Sequence, residues 1–421
     1  MDFTPFGRRP SRAAVRFFAR ASPVVLSAHP CPVASTEDPD LRLAYLSIGR
    51  HIHTERWLRF FVERGHDVHL LTVQPGPIPG VTVHDITTTL GPKPARYAAS
   101  LVRVRSLLGR LDPDVLHTHF LTGFGYWGWL SGFRPFLLTV WGDDVYQTPF
   151  ESPAKLWLAR RALAAADWIS GDSVDMLAKA VELGARRERC EHLQLGVDFR
   201  QFRPDVPDAA REAMRARHAT PPTAPVVLST RSFSQAYYNI PLFVDAIPEL
   251  SRRHPDAVFW IAGYEGEDGA IRRQVEARGV ARVVRFLGRV PHDELQDVVA
   301  AADVYITIPS LDATAVSLLE AMAAGKAIVA SALPSAAEWI VDGVTGRTVP
   351  PGEGAPLVEA ISSLLADPAA RARLGRAAHD EARARADWHQ HMGRNEEIYV
   401  AAARAHRTGG RFDIPSPRAW S

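Results

Sequence analysis

Cysteine is nearly absent from this 421-residue chain: Cys31 and Cys190 are the only two, too few for a disulfide framework, and the plain expectation is a reducing compartment. Lysine is scarce too, with Lys93, Lys155, Lys179 and Lys326 the only four among 49 basic residues, a bias of genomic base composition rather than of function. No run approaches the roughly 18 to 20 consecutive apolar residues of a spanning helix, so the expectation is a soluble or peripheral protein. Neither sign of charge prevails: 49 basic against 47 acidic residues leave +2, and no nucleic-acid partner is expected. What is present, 46% hydrophobic and 23% charged residues, is the composition of a globular protein and excludes disordered and collagenous classes. At roughly 150 residues per domain, the length suggests two or three domains.

Residues 1–40 carry five arginines before a short apolar run at 23–28 and read as a disordered or leader segment, with a cleaved targeting peptide as the alternative. From Leu41, β-rich runs alternate with stretches of helical period. Strands are expected at 42–47, 67–72, 114–117, 136–140, 168–170 and 192–195, then at 226–230, 258–262, 283–287, 304–308 and 328–330. Helices are expected near 52–64, 95–110, 152–166 and 172–183. This alternation predicts an α/β protein with two Rossmann-like domains of parallel strands facing across a cleft. The boundaries read as 41–205 for the first domain, 206–225 for a proline-rich linker, 226–385 for the second domain, 386–406 for a crossover helix and 407–421 for a tail. In such sheets ligands bind in loops at the carboxyl ends of strands.

The loop after 304–308 is the most informative. Pro309 ends the strand, Thr314 is the expected helix N-cap, and Val316, Leu319 and Ala323 form one helical stripe before Gly325. A small-residue turn opening a helix offers backbone N–H groups to a diphosphate. Asp312 and Glu320 would repel phosphate directly, so hydroxyl groups of a ribose and a sugar are their expected partners. The competing reading makes Asp312 a cap and Glu320 a solvated helix residue. Arg231, just after the 226–230 strand, is the expected cation for charge growing on a leaving diphosphate, or else a surface strand-end charge.

The stretch Asp312-x7-Glu320 with Ala-Met-Ala-Ala-Gly325, the downstream Ser335-Ala-Ala-Glu338 and Asp342-Gly343-x-x-Gly346, Trp260-Ile-Ala-Gly263, Phe286-Leu-Gly-Arg-Val290 and Asp387-Trp388 together resemble the family-4, GT-B-fold retaining glycosyltransferases over about residues 41 to 405. The resemblance implies that Glu320 holds the donor ribose, Asp312 approaches the donor sugar, and the amides of Ala315 and Val316, beside Thr314, cradle the distal phosphate. It places Gly288 and Arg289 along the nucleotide base and returns the C-terminal helix to the first domain. The family usually has Glu where this chain has Asp312, and Lys five residues after Arg231 where this chain has Ala236. Asn239, Tyr237 or Tyr238 are the expected substitutes for that missing cation.

In the first domain, the loop Ser47-Ile-Gly49-Arg-His51-Ile-His53 lacks a full G-x-G-x-x-G, which argues against a dinucleotide site. In the resembling family this loop faces the diphosphate and acceptor, so Gly49 is expected on the donor and His51 and His53 on the acceptor side; each histidine alone also reads as structural. His117 and His119 share a strand face, and two such ligands without a third favour a structural role over a metal site. His119 and Trp141 are expected on the acceptor side. Trp141 stands where relatives have His, and Asp144 is either an acceptor contact or a helix N-cap.

The function implied is a retaining hexosyltransferase moving sugar from a nucleotide-diphosphate donor, UDP- or GDP-linked, to a saccharide or lipid-linked acceptor, without further cofactor or metal. A GT-B-fold epimerase or hydrolase and a non-catalytic nucleotide-sugar-binding subunit are the alternatives. Residues 86–111 hold five basic and no acidic residues; Arg96, Arg103 and Arg110, seven apart, form a stripe suited to an anionic membrane or simply to solvent. The expected location is cytoplasmic, peripheral at the inner membrane face in the first case.

Overall fold

Seven parallel strands build the first sheet: β1 (Arg42–Leu46), β2 (Asp67–Thr72), β3 (Thr82–Asp85), β4 (Val115–His119), β5 (Phe136–Thr139), β6 (Trp168–Gly171) and β7 (Cys190–His192), in spatial order β3-β2-β1-β4-β5-β6-β7. Six more build the second: β8 (Val226–Ser229), β9 (Val258–Ala262), β10 (Val284–Gly288), β11 (Val304–Thr307), β12 (Ala327–Ser331) and β13 (Arg347–Val349), in order β10-β9-β8-β11-β12-β13. This computed structural model describes residues 40–89, 91–233, 235–263, 269–410 and 412–415, so the leader reading of 1–40 lies, but for Asp40, outside the described residues.

Helices of the first domain are α1 (Ile52–Glu63), α2 (Lys93–Leu111), α3 (Tyr126–Ser131), α4 (Asp143–Tyr146), α5 (Pro153–Ala165) and α6 (Val174–Glu182). Then follow α7 (Asp208–Arg217), α8 (Ile240–Arg253), α9 (Ala270–Ala277), α10 (His292–Ala301), α11 (Val316–Ala323), α12 (Pro334–Ala337), α13 (Gly354–Ala366), α14 (Pro368–Arg385) and α15 (Trp388–Arg407).

Crossover helices cover both faces of each sheet, so the strands are buried on both sides and read as near-continuous apolar runs. Every residue of β4, β9 and β12 is buried. Alternation sends Ala44 and Leu46 of β1 into one core and Leu43 and Tyr45 into the other. In each sheet the strand order reverses between two neighbours, β1 and β4 in the first and β8 and β11 in the second. The loops leaving those four strands open onto the crevice that such reversals create.

The structure departs from the sequence reading in several places. The short edge strands β3 and β13, four and three residues long, were not expected, and the strand placed at 192–195 runs Cys190–His192 instead. Residues 208–217 of the expected linker form α7, whose Arg215 is buried in an ion pair with Asp303 at 2.9 Å and donates to the carbonyls of Ala301, Pro222 and Ala224. Its stability comes from polar contacts that an apolar pattern does not reveal. The last helix, α15, packs on the first domain: the Tyr399 hydroxyl meets Trp57 Nε1 at 3.2 Å and His117 Nδ1 at 2.5 Å, and Arg394 pairs with Glu191 at 2.7 Å. Part of the expected tail is packed as well, since Phe412 and Ile414 lie against this same core.

Candidate active site

Two connected cavities lie at the carboxyl ends of the strands. The smaller, about 260 Å³, is walled by Trp141 and Asp143 after β5, Asp172 after β6, Tyr237 after β8, and Asp312 and Ala313 after β11. The larger, about 740 Å³, is walled by Arg50 after β1, Gly263 after β9, Arg289 and His292 after β10, and Ser317 and Glu320 of α11. His51, His53, Arg231, Tyr238 and Val316 line both.

Arg231 occupies the junction. It is 9% exposed, a depth at which a guanidinium needs partners. Its Nη2 meets Asp312 Oδ2 at 2.6 Å, its Nη1 donates to Ser317 Oγ at 3.2 Å, and its plane lies 3.9 Å from the centre of the Tyr238 ring. Burial opposes its charge, but Asp312 and the tyrosines around it raise its pKa on balance. Burial likewise pushes the Asp312 carboxyl up, with Arg231 pulling it down. The surface-charge reading of Arg231 and the capping reading of Asp312 therefore give way to a buried ion pair. Ala236, the position without the expected lysine, begins a short 3-10 turn, Ala236–Tyr238, that presents the two tyrosines.

Glu320 is buried rather than solvated, 4% exposed, and its Oε1 lies 3.2 Å from His292 Nε2, which is itself 3.4 Å from Arg56 Nη1. α11 begins at Val316 with Ala315 as N-cap, positions whose amides lack intrahelical acceptors. Thr314 is not the cap; its Oγ1 accepts from Trp339 Nε1 at 3.3 Å. Gly325 ends the helix at φ +67, as a terminating glycine should.

Several expected site residues stand apart from both cavities. Asp144 is 1% exposed, and its carboxylate accepts from the amides of Trp141 at 3.0 Å, Gly142 at 2.8 Å and Leu121 at 2.6 Å. Burial pushes it up to about 6 against those three amides. It shapes the turn that presents Trp141 and Asp143, so neither the acceptor-contact nor the N-cap reading describes it; the α4 N-cap is Gly142. His119 belongs to β4 and is fully buried, its Nδ1 3.2 Å from Ser47 Oγ, behind the Trp141 ring. Asn239 sits at φ +55 before α8 and donates to the Ile308 carbonyl at 3.0 Å, which ties loop to strand. Gly49 approaches the chain so closely that a Cβ would lie 2.3 Å from the Gln74 carbonyl oxygen. Gly288, at φ +68, accepts from the Gly263 amide at 2.8 Å. Arg289, by contrast, does line the larger cavity.

His51 and His53 have their pKa values lowered by burial, well below the usual range for His53, with His51 and Arg56 as further causes there. Both are therefore neutral at pH 7. His117 bonds Tyr399 and Thr139 within the core, and among the described residues no group of three or more His, Cys, Asp or Glu is placed to hold a metal ion.

Sequence reasoning missed Asp143, Asp172 and His292 as lining residues, and Glu338 as a bridge. Glu338 Oε1 accepts from the amide of Val174 at 2.9 Å, so a residue of the second domain caps α6 of the first; burial raises its carboxyl to about 7. Asp172 directly follows β6, Asp143 and His292 open the helices after β5 and β10, and Glu338 ends α12, so no single local pattern in the sequence marks them.

Residues 210–381 match the family described as glycosyl transferases group 1, and residues 42–173 match that described as glycosyl transferase 4-like. The glycogen synthase of Mycobacterium tuberculosis is 31% identical over 211 residues, 50% of this chain and 49% of that protein, so the chain spans about half the length of this relative. The D-inositol 3-phosphate glycosyltransferase of Kribbella flavida is 27% identical over 373 residues, 81% of this chain and 84% of the relative. The crystal structure of Anabaena HepE with UDP-glucose superposes with a TM-score of 0.73 at 17% identity, covering 85% of this chain and 98% of that one, a likeness of fold. The match to glycosyl transferases group 1 falls on the second sheet's domain and the glycosyl transferase 4-like match on most of the first, and the two-sheet architecture is similar in fold to solved GT-B glycosyltransferases.

Proposed function

We propose that this protein is a retaining glycosyltransferase that draws on a nucleotide-diphosphate sugar, UDP- or GDP-linked. The observation that carries this reading is the meeting of two unlike cavities at Arg231. The larger is lined by three arginines, Arg50, Arg231 and Arg289, with one carboxylate, Glu320, and suits a nucleoside diphosphate. The smaller holds carboxylates and aromatic rings and suits a sugar. Glu320 accepts from the ribose hydroxyls, displacing His292, while Arg231 and the start of α11 face the diphosphate. As the bond from the anomeric carbon to the diphosphate oxygen breaks, negative charge grows beside Arg231. The acceptor hydroxyl attacks the same face and passes its proton to the departing phosphate, which retains configuration. Charge neutralisation rests on Arg231 and the helix dipole, so no metal or further cofactor enters the reaction.

The names of the relatives, a glycogen synthase and an inositol phosphate glycosyltransferase, support a saccharide or polyol acceptor, and a lipid-linked one presented by a membrane fits the arginine stripe of α2. Anomeric NMR of the product formed in EDTA tests the reading: retained configuration with full activity supports it, and inversion or loss of activity overturns it. A second reading, binding without turnover, is favoured by Ala236 at the lysine position; it predicts donor binding with no transfer to any acceptor.

A further inference from the structure

The smaller cavity contains more acid than base. Asp143, Asp172 and Asp312 line it, and Arg231 is the one cation among its described lining residues. That arginine already holds Asp312 at 2.6 Å. Burial pushes all three carboxyls up, so the chamber opposes negative charge even on its own side chains, while His51 and His53 remain neutral. Its polar atoms are also unsatisfied from within. Nε of Arg231, Nε1 of Trp141, Nδ1 of His51 and of His53, and Oδ1 of Asp172 are all buried without a hydrogen-bond partner.

Buried polar groups are normally paired, so five orphans around one chamber indicate a ligand with many hydroxyls. Trp141, stacked on Phe120 with ring centres 5.0 Å apart, adds an apolar wall for the C–H face of a pyranose. A chamber of about 260 Å³ takes one such ring.

We infer that this chamber selects an uncharged or amino-bearing pyranose and excludes one carrying a carboxylate or phosphate. The inference rests on the donor reading above, with the nucleoside diphosphate in the larger cavity. A uronic acid would bring a fourth acidic group among three carboxyls, with the single arginine committed to Asp312 and the diphosphate. An ammonium would instead meet Asp143 or Asp172, and hydroxyls would satisfy the orphaned atoms.

Titration calorimetry with UDP and GDP comes first; binding of neither overturns the donor reading and this inference with it. Donors built on whichever nucleotide binds are then compared in matched pairs, UDP-glucose with UDP-glucuronate or GDP-mannose with GDP-mannuronate. The uronate is expected to bind at least tenfold more weakly than its neutral partner. In the double variant Asp143→Asn, Asp172→Asn that ratio should shrink to about threefold or less through tighter uronate binding, while affinity for the bare nucleotide, which reports that the variant is folded, stays unchanged. A uronate that binds the wild type within twofold of its neutral partner, or a ratio the double variant leaves unmoved, overturns the inference while leaving the donor reading standing.

Discussion

A carboxylate buried beside a histidine, as Glu320 is beside His292, is held for a partner that offers hydrogen-bond donors. Glu320→Gln keeps the shape but replaces charge-assisted bonds to ribose by neutral ones, and donor binding should weaken by roughly 1 to 3 kcal/mol in titration calorimetry. An unchanged affinity would remove Glu320 from the donor site. Arg231 is expected to behave differently, because diphosphate charge increases toward the transition state. Arg231→Ala should lower kcat much more than it raises KM, and steady-state kinetics showing both at wild-type values would return Arg231 to a structural partner of Asp312. These residues were legible because Asp312, Glu320 and the turn between them are contiguous in sequence, and Arg231 directly follows a clear strand. Asp172 and His292 were not, since each enters from a different strand end and only the folded chain assembles them. Asp144 misled for a related reason: a carboxylate in a tight turn satisfies neighbouring amides as readily as a ligand, and here three amides take it.

At the scale of elements, the parallel strands announced themselves through unbroken apolar runs, whereas β3 and β13 are short edges with little buried surface. Helix α7 was hidden because Met214 is its only large apolar residue and Arg215 anchors it through carbonyls and Asp303. The contact of Glu338 with the start of α6 joins elements of the two domains and makes a pH-dependent prediction. Burial raises the folded-state pKa of Glu338 to about 7, above its ordinary 4.5. The folded state therefore binds a proton more tightly than the unfolded state, and the favourable contribution is complete below about pH 4.5 and lost as pH rises through about 7. Glu338→Gln mimics the protonated form at every pH. Relative to wild type, it should gain on the order of 3 kcal/mol between pH 4.5 and 7.5, read from denaturant melts at both values. A difference between the two proteins that does not change with pH would show that Glu338 is ionised in the folded protein throughout.

Taken as a whole, the molecule is nearly neutral but its charge is unevenly placed. Helices α2 and α5 carry eight lysines and arginines, five and three, and no acidic residue. They are joined through α3, where Arg105 donates to the Leu130 carbonyl and Trp129 meets Trp157 at 5.7 Å. Tyr97, Leu101, Val104 and Leu108 turn inward to the first core, as the helical period predicts, and Arg96, Arg103 and Arg110 are exposed. Arg103 donates to the Thr87 carbonyl in the loop after β3, and Arg110 Nε lies 3.4 Å from the Ser106 carbonyl oxygen on the helix itself. Trp157 of α5 is 53% exposed, an aromatic side chain of the kind that settles at a membrane interface. Among the described residues no helix is long and apolar enough to cross a membrane. Each arginine near an anionic bilayer contributes about 1 kcal/mol, and three therefore change partitioning by roughly two orders of magnitude at low salt. The wild type is expected to sediment with anionic but not neutral vesicles, and the triple change of Arg96, Arg103 and Arg110 to Gln should abolish this while donor binding is unaffected. Equal sedimentation of the triple variant, or none by the wild type, would assign the stripe to solvent and the acceptor to the aqueous phase.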